Sequence, residues 1–144
     1  MLQAYSSNIT ITADSAIPFN NLVIDKGCAE TLSAPATIQI NRRGVYLVEF
    51  DGFGTGSAAD DVTIQLYVND VAQPQAQSQV TTAAGDVSNF SFKTLVQVSE
   101  NNCNCNCYTS PTLLQVRAAG SDLTDANANI VVTKLCSSLR RLPS

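Results

Sequence analysis

The sequence predicts an all-β chain folded as an antiparallel two-sheet jelly-roll sandwich, and three observations carry that reading. Apolar residues alternate with polar ones over short runs, and no stretch keeps a 3.6-residue apolar period for the length of an ordinary helix. The composition is poor in Lys, Glu and Trp and rich in Val, Ile, Thr, Ser, Asn and Gln, which suits a pleated, half-buried surface better than a helix. Clusters of turn-forming residues separate the runs at short intervals. With 144 residues, 44% apolar and 14% charged, the chain has material for one packed core but not for two.

In chain order, strands are expected at 8–13, 17–24, 36–40, 45–53, 62–68, 76–82, 87–98, 112–118 and 129–135. Between them Asp25-Lys26-Gly27, Asn41-Arg42-Arg43-Gly44, Asn69-Asp70, Ala84-Gly85-Asp86 and Ala119-Gly120-Ser121-Asp122 supply residues that tolerate turn or left-handed conformations. Eight or nine antiparallel strands bury their apolar faces by closing on one another, hence a sandwich or jelly roll. One domain is expected over 1–136. The segment 137–144 breaks the strand pattern and carries Arg140 and Arg141; it reads as a tail, frayed or serving as a short docking peptide.

Two strands differ in their faces. In 62–68 the apolar set Val62, Ile64, Leu66 and Val68 alternates with Thr63, Gln65 and Tyr67, as in a sheet with one dry and one wet face. In 44–50, Val45 and Leu47 point one way while Tyr46, Val48 and Phe50 point the other, so both faces call for burial. A neighbouring subunit or a covering loop could supply the second cover, and the subunit is the expectation because monomers rarely expose large apolar patches. Tyr46, Val48 and Phe50, with Tyr67 from the neighbouring pattern, are the candidate oligomer-interface residues.

Several function classes are disfavoured. A net charge of −4 without a Lys/Arg stripe provides no field for a phosphate backbone or anionic lipid, so neither nucleic acid nor membrane is expected as a partner. The segment Met1 to Ser7 lacks the basic opening and apolar run of a signal peptide, which also makes the sequon Asn8-Ile9-Thr10 irrelevant as a glycan acceptor. The chain has no His, which removes Ser-His-Asp and Cys-His nucleophile arrangements and His-based metal sites. Glu49 and Asp51 share one strand face at about 6.5–7 Å, the rise of two residues. That spacing superficially suits a glycosidase pair, but a strand emerging into solvent gives the same arrangement, and the solvated reading is the expectation. Asp60-Asp61, without further oxygen ligands at fixed spacing, is weak as a calcium site. No catalytic residue and no cofactor are expected.

Cys103-Asn104-Cys105-Asn106-Cys107 stands apart, flanked by the turn-rich Glu100-Asn101-Asn102 and Tyr108-Thr109-Ser110-Pro111. Three readings stay open for Cys103, Cys105 and Cys107: free thiols in an exposed loop, disulfide pairing, or a metal site. The last fits poorly, because structural zinc favours two residues between paired cysteines. Cys28 and Cys136 sit beside strands and read as small buried hydrophobes.

Three segments carry a resemblance: Ile17-Pro18-Phe19-Asn20-Asn21, Gly44-Val45-Tyr46-Leu47-Val48-Glu49-Phe50, and Gln65-Leu66-Tyr67-Val68-Asn69-Asp70-Val71-Ala72-Gln73-Pro74, completed by the closing strand Asn129 to Lys134. With them the chain resembles, over nearly its whole length, the trimeric jelly rolls of tumour necrosis factor and the complement globular heads. It is most similar to the C-terminal domains of collagen-like spore-surface glycoproteins and to small bacteriophage virion proteins. Asp70 stands where such relatives often have Gly, and no Gly-x-y stalk is expected before the domain. The resemblance implies a stalkless homotrimer, assembled in the host cytoplasm and resident on the virion, that decorates a capsid or serves as a head fibre. Its alternatives are an adhesin head recognising a host glycan or protein, or a spore-surface protein.

Overall fold

Period-two alternation is realised as strands throughout the chain. The computed structural model describes residues 1–27, 29–98 and 111–136, and among them every regular element is a β-strand. In order these are β1 (Leu2–Ile11), β2 (Ser15–Ala16), β3 (Asn21–Asp25), β4 (Glu30–Ala34), β5 (Thr37–Ile40), β6 (Gly44–Gly56), β7 (Asp60–Val68), β8 (Val71–Thr82), β9 (Val87–Val98), β10 (Thr112–Ala119) and β11 (Leu123–Cys136). Two antiparallel sheets form: sheet A in the order β3-β1-β11-β6-β9, and sheet B in the order β4-β5-β10-β7-β8 with β2 added on β10. Most neighbours are distant in sequence, which is the jelly-roll arrangement, and it lets both sheets turn their apolar phases inward on a common core.

The core explains the phase of each strand. Sheet A contributes Leu2, Ala4, Tyr46, Val48, Ile130 and Val132, and sheet B contributes Ile38, Val62, Ile64, Leu66, Leu114 and Val116, each at most 1% exposed. Phe50 stacks on Phe92 at 5.3 Å between centroids and meets Phe19 edge-on at 6.5 Å, geometries that suit the ring quadrupole. Ile17 and Phe19 reach this core from an irregular segment, not from the strand expected at 17–24. Pro18 lies between β2 and β3, where its missing N–H costs no ladder bond. The segment is held by Ile17 N–H donating to the Val116 carbonyl (2.8 Å), and by the buried Ser6 hydroxyl, which donates to the Pro18 carbonyl and accepts from Asn20 N–H, both at 2.8 Å.

Turn chemistry fixes the register. Val68 pairs with Val71 across a two-residue loop in which Asn69 and Asp70 have φ of 49° and 67°, the left-handed pair a type I′ hairpin requires. Asn69 then mimics a strand residue toward β10, its N–H donating to the Leu113 carbonyl and its Oδ1 accepting from Leu113 N–H, both at 2.9 Å. At the start of β6, Gly44 has φ of 152°, and a Cβ there would lie 2.5 Å from the Cys136 carbonyl oxygen. The sequence pattern does not predict β4 or the first half of β1, because Glu30–Ala34 and Leu2–Ser7 are short or polar; they are strands through their pairing with β5, and with β11 and β3. Glu30 is fully buried and pairs with the α-ammonium of Met1, which also donates to the Lys26 carbonyl at 2.8 Å.

Candidate functional site

Strand β6 decides where a partner could touch. The structure corrects the expectation that Tyr46, Val48 and Phe50 form an intersubunit face: they are 0%, 0% and 3% exposed within a single chain. The physical reason lies in what shares their phase. Gly44, Gly52, Gly54 and Gly56 are inward too, where β6 runs against its neighbours. At Gly54 an added Cβ would come within 2.8 Å of Leu123. The opposite phase carries Glu49 and Asp51, which are exposed and could not be buried unpaired. Tyr46 is anchored by its hydroxyl, which donates to the Arg42 carbonyl at 2.7 Å. Burial, reinforced by the nearby Glu30 carboxylate and opposed by Arg42, pushes its pKa up to about 12.

Turning β6 over places Val45, Leu47, Glu49, Asp51 and Phe53 on the outer face of sheet A, in register with β11 and β9. Thr133, Leu47 and Leu95 form one cross-strand row, and Val131, Glu49 and Lys93 form the next. Then follow Tyr5, Asn129, Asp51 and Ser91, and after them Asn127, Phe53 and Asn89. The face therefore has two halves. One is apolar, with Leu95 56% exposed and Val45, Leu47 and Val131 half-buried. The other contains a hollow of about 260 Å³ between Tyr5 and Phe53, bordered by Asp51, Gly52, Asn127 and Asn129.

The hollow has a backbone cause. Register shifts in β1 between Ser6 and Ile9 and in β11 between Thr124 and Asn127 loosen the sheet beside it, as bulges do. Gly52 lies between Asp51 and Phe53 in the inward phase, and a Cβ at that position would lie 2.5 Å from the Asn127 carbonyl oxygen. The polar groups around it are ordered in a chain. Gln3 Nε2 donates to Asn129 Oδ1, and Asn129 Nδ2 donates to Asp51 Oδ1, both at 3.1 Å; Asn8 N–H donates to Asn127 Oδ1 at 3.2 Å. Sequence reasoning treated Glu49 and Asp51 as a solvated pair. They are exposed on the outer face, and Asp51 borders the hollow.

The outer face of sheet B is of another kind. Tyr67 is half-buried and lies beneath the Arg117 guanidinium at 4.3 Å, within cation–π range. Arg117 in turn pairs with Asp70 and donates from Nη2 to Gln115 Oε1 at 2.8 Å, while Gln115 Nε2 donates to Thr37 Oγ1 at 2.9 Å. Tyr67 is thus engaged within its own chain. Asp60 and Asp61 open β7, where Asp61 Oδ1 accepts from the Thr81 hydroxyl at 2.7 Å, and no cluster of three metal-ligating side chains occurs among the described residues. Cys136 is exposed and bonded to no other cysteine among the described residues, not the buried hydrophobe expected. Cys103, Cys105 and Cys107 lie outside the described residues, as do Cys28 and the tail 137–144. No described helix is long and apolar enough to cross a membrane.

Against known structures this architecture is matched along almost its full length. The globular domain of the zebrafish complement 1qA protein superposes with a TM-score of 0.67 at 9% identity, covering 95% of this chain and 98% of its own. The Eiger tumour necrosis factor of S. frugiperda gives 0.67 at 12% identity, over 99% and 98%. The fold is that of the tumour-necrosis-factor and complement-head jelly rolls. The PRD1 vertex protein P5, a phage protein, shares it as well, with a TM-score of 0.55 at 16% identity over 94% of this chain and 96% of that one. At such identities the likeness is one of fold. No protein-family model matches the sequence, and no curated protein sequence matches it either.

Proposed function

We propose that the protein is a non-catalytic structural and binding module that works as a homotrimer and decorates a larger particle, a bacteriophage capsid or its head fibre, after assembly in the host cytoplasm. The observation that carries self-association is the apolar half of the outer face of sheet A, where Leu47, Leu95, Val131 and Val45 lie on three adjacent strands. A contiguous apolar patch of this kind on a small domain marks a contact surface. Threefold order follows from the trimeric jelly rolls that the sequence resembles. The particle role draws support from the shared fold with a vertex protein of PRD1. A non-catalytic reading accords with the complement and tumour-necrosis-factor neighbours.

Light scattering at micromolar concentration tests the oligomer, and copurification with assembled capsids tests the particle. An obligate interface buries about 2,000 Å² or more, so dissociation should accompany unfolding. A folded monomer would overturn the trimer; a folded trimer that never accompanies particles from a producing cell would overturn the decoration role.

A further inference from the structure

Self-association through the outer face of sheet A would cover the hollow between Tyr5 and Phe53 and leave the two ends of the sandwich open. These ends carry opposite charge. At one, the turns 12–14, 57–59, 83–86 and 120–122 are tied together. Ala13 N–H donates to Asp122 Oδ1 at 2.7 Å, the Ser57 hydroxyl to the Asp122 carbonyl at 2.9 Å, and Gly56 N–H to the Asp86 carbonyl at 2.9 Å. Asp14, Asp60, Asp61, Asp86 and Asp122 gather there, and no described Lys or Arg does.

At the other end Lys26 follows β3, Arg42 and Arg43 precede β6, and Lys134 lies near the end of β11, opposite Tyr46. Hydrogen bonds hold these segments in place: Lys26 N–H donates to the Met1 carbonyl at 2.9 Å, Asn41 N–H to the Ala29 carbonyl at 2.7 Å, and the Tyr46 hydroxyl to the Arg42 carbonyl at 2.7 Å. Lys134 runs over Gly44, its Cε 2.9 Å from where a Cβ would stand. Lys26, Arg42 and Arg43 are exposed and Lys134 is half-buried. The register shift between Lys134 and Cys136 leaves Leu135 54% exposed among these cations, in the way a bulge re-aims a side chain.

We propose that this basic end is a docking face for an acidic protein surface, which on the particle-decorating reading above belongs to the particle. Carboxylates of the partner meet Lys26, Arg42, Arg43 and Lys134 around a contact at Leu135. A guanidinium pairs with a carboxylate through two parallel bonds, and Arg around an apolar centre is the composition of a protein–protein contact. The carboxylates at the far end turn the molecule so that its basic end approaches first. A nucleic acid or an anionic lipid surface fits less well. Its dense negative charge acts on the whole chain, whose net charge is −4, whereas a local patch of carboxylates acts on the nearest end within a Debye length of about 8 Å. Neither offers an apolar counterpart to Leu135 at the level of its phosphates. The end is open in a monomer and in a trimer joined through sheet A alike.

The test measures retention of the full chain on assembled particles from a producing cell and on immobilised poly-L-glutamate, with duplex DNA and phosphatidylserine vesicles as competing surfaces. Melting and light scattering follow folding and oligomeric state. Wild type should bind particles and poly-L-glutamate and be released by about 1 M salt, where the Debye length falls to about 3 Å. Arg42→Glu with Arg43→Glu should weaken both about tenfold, and the milder Lys26→Gln with Lys134→Gln severalfold, with folding and oligomeric state unchanged. Asp60→Asn with Asp86→Asn, at the opposite end, should leave retention undiminished. Retention of both basic-end variants equal to wild type, or tighter binding to DNA or vesicles than to poly-L-glutamate, would overturn the proposal. Wild type that binds poly-L-glutamate through this end but never accompanies particles would overturn the particle role and support the docking face.

Discussion

On the outer face of sheet B, Thr63, Gln65, Gln77 and Gln115 surround the Tyr67–Arg117 pair, whereas the outer face of sheet A carries Leu47, Leu95 and Val131 in one half and Tyr5 and Phe53 in the other. Both sheets bury inner faces of the same kind, so the fold makes no demand that would explain the contrast. The long polar side chains of sheet B bond to one another and to backbone carbonyls of β8. The apolar and aromatic ones of sheet A have no such partner among the described residues. A sandwich specifies its inner phase tightly and leaves its outer phase free, and that freedom is where a binding surface can be written.

The sharpest break of this contrast lies within β6 itself. Phe50→Ala should destabilise the chain by about 3–5 kcal/mol in urea unfolding, because it empties a stacked core position. Phe53→Ala should cost about 1 kcal/mol or less. Similar losses for the two would mean that the phase of β6 is misassigned. Next in size, Leu47→Asp or Leu95→Asp should abolish the proposed trimer at micromolar concentration, by placing a charge in a dry contact. Gln65→Asp on sheet B should leave it intact. A loss with Gln65→Asp and none with Leu47→Asp would move the interface to the other sheet.

A smaller effect comes from Tyr46, the inward hydroxyl of sheet A. Its folded pKa near 12 lies above the ordinary 10.0, so the folded chain holds this proton more tightly than the unfolded one. Stability from this source is fully present below pH 10 and is lost as pH rises through about 12, a fall on the order of 2 kcal/mol. Tyr46→Phe should lose about 1 kcal/mol at neutral pH with its hydrogen bond and flatten the alkaline slope; an unchanged slope would contradict the burial of the hydroxyl. Smallest of all, Arg117→Ala should cost about 1 kcal/mol or less, since its partner Asp70 is 84% exposed and the cation–π contact lies on an open face. A large loss would mean that sheet B's polar face is more than a solvated surface.

Some of this was legible in the residues alone. Val62, Ile64 and Leu66 alternate cleanly with polar residues and are buried as expected, and Asn69-Asp70 announces its own hairpin because few residues accept left-handed φ. The strand at 44–50 was harder, since apolar residues occupy both phases. The signal that resolves it was nonetheless present: Glu49 and Asp51 share the phase of Val45 and Leu47, and glycines 52, 54 and 56 share that of Phe50. The hollow was not legible in this way. Tyr5, Asp51, Phe53 and Asn127 come from three strands, and nothing in their spacing along the chain brings them together.

The sequence by itself determined the strand class, most of the strand positions and the turns, because alternation and turn chemistry act over a few neighbouring residues. Tertiary structure alone decided which phase of β6 faces the core, how β1 and β11 come to lie side by side from opposite ends of the chain, and where their bulges open the sheet. Those outcomes depend on cross-strand register and on which side chains fill a shared interior. Each is a property of pairs of segments far apart in sequence, and local pattern carries no information about which pairs form.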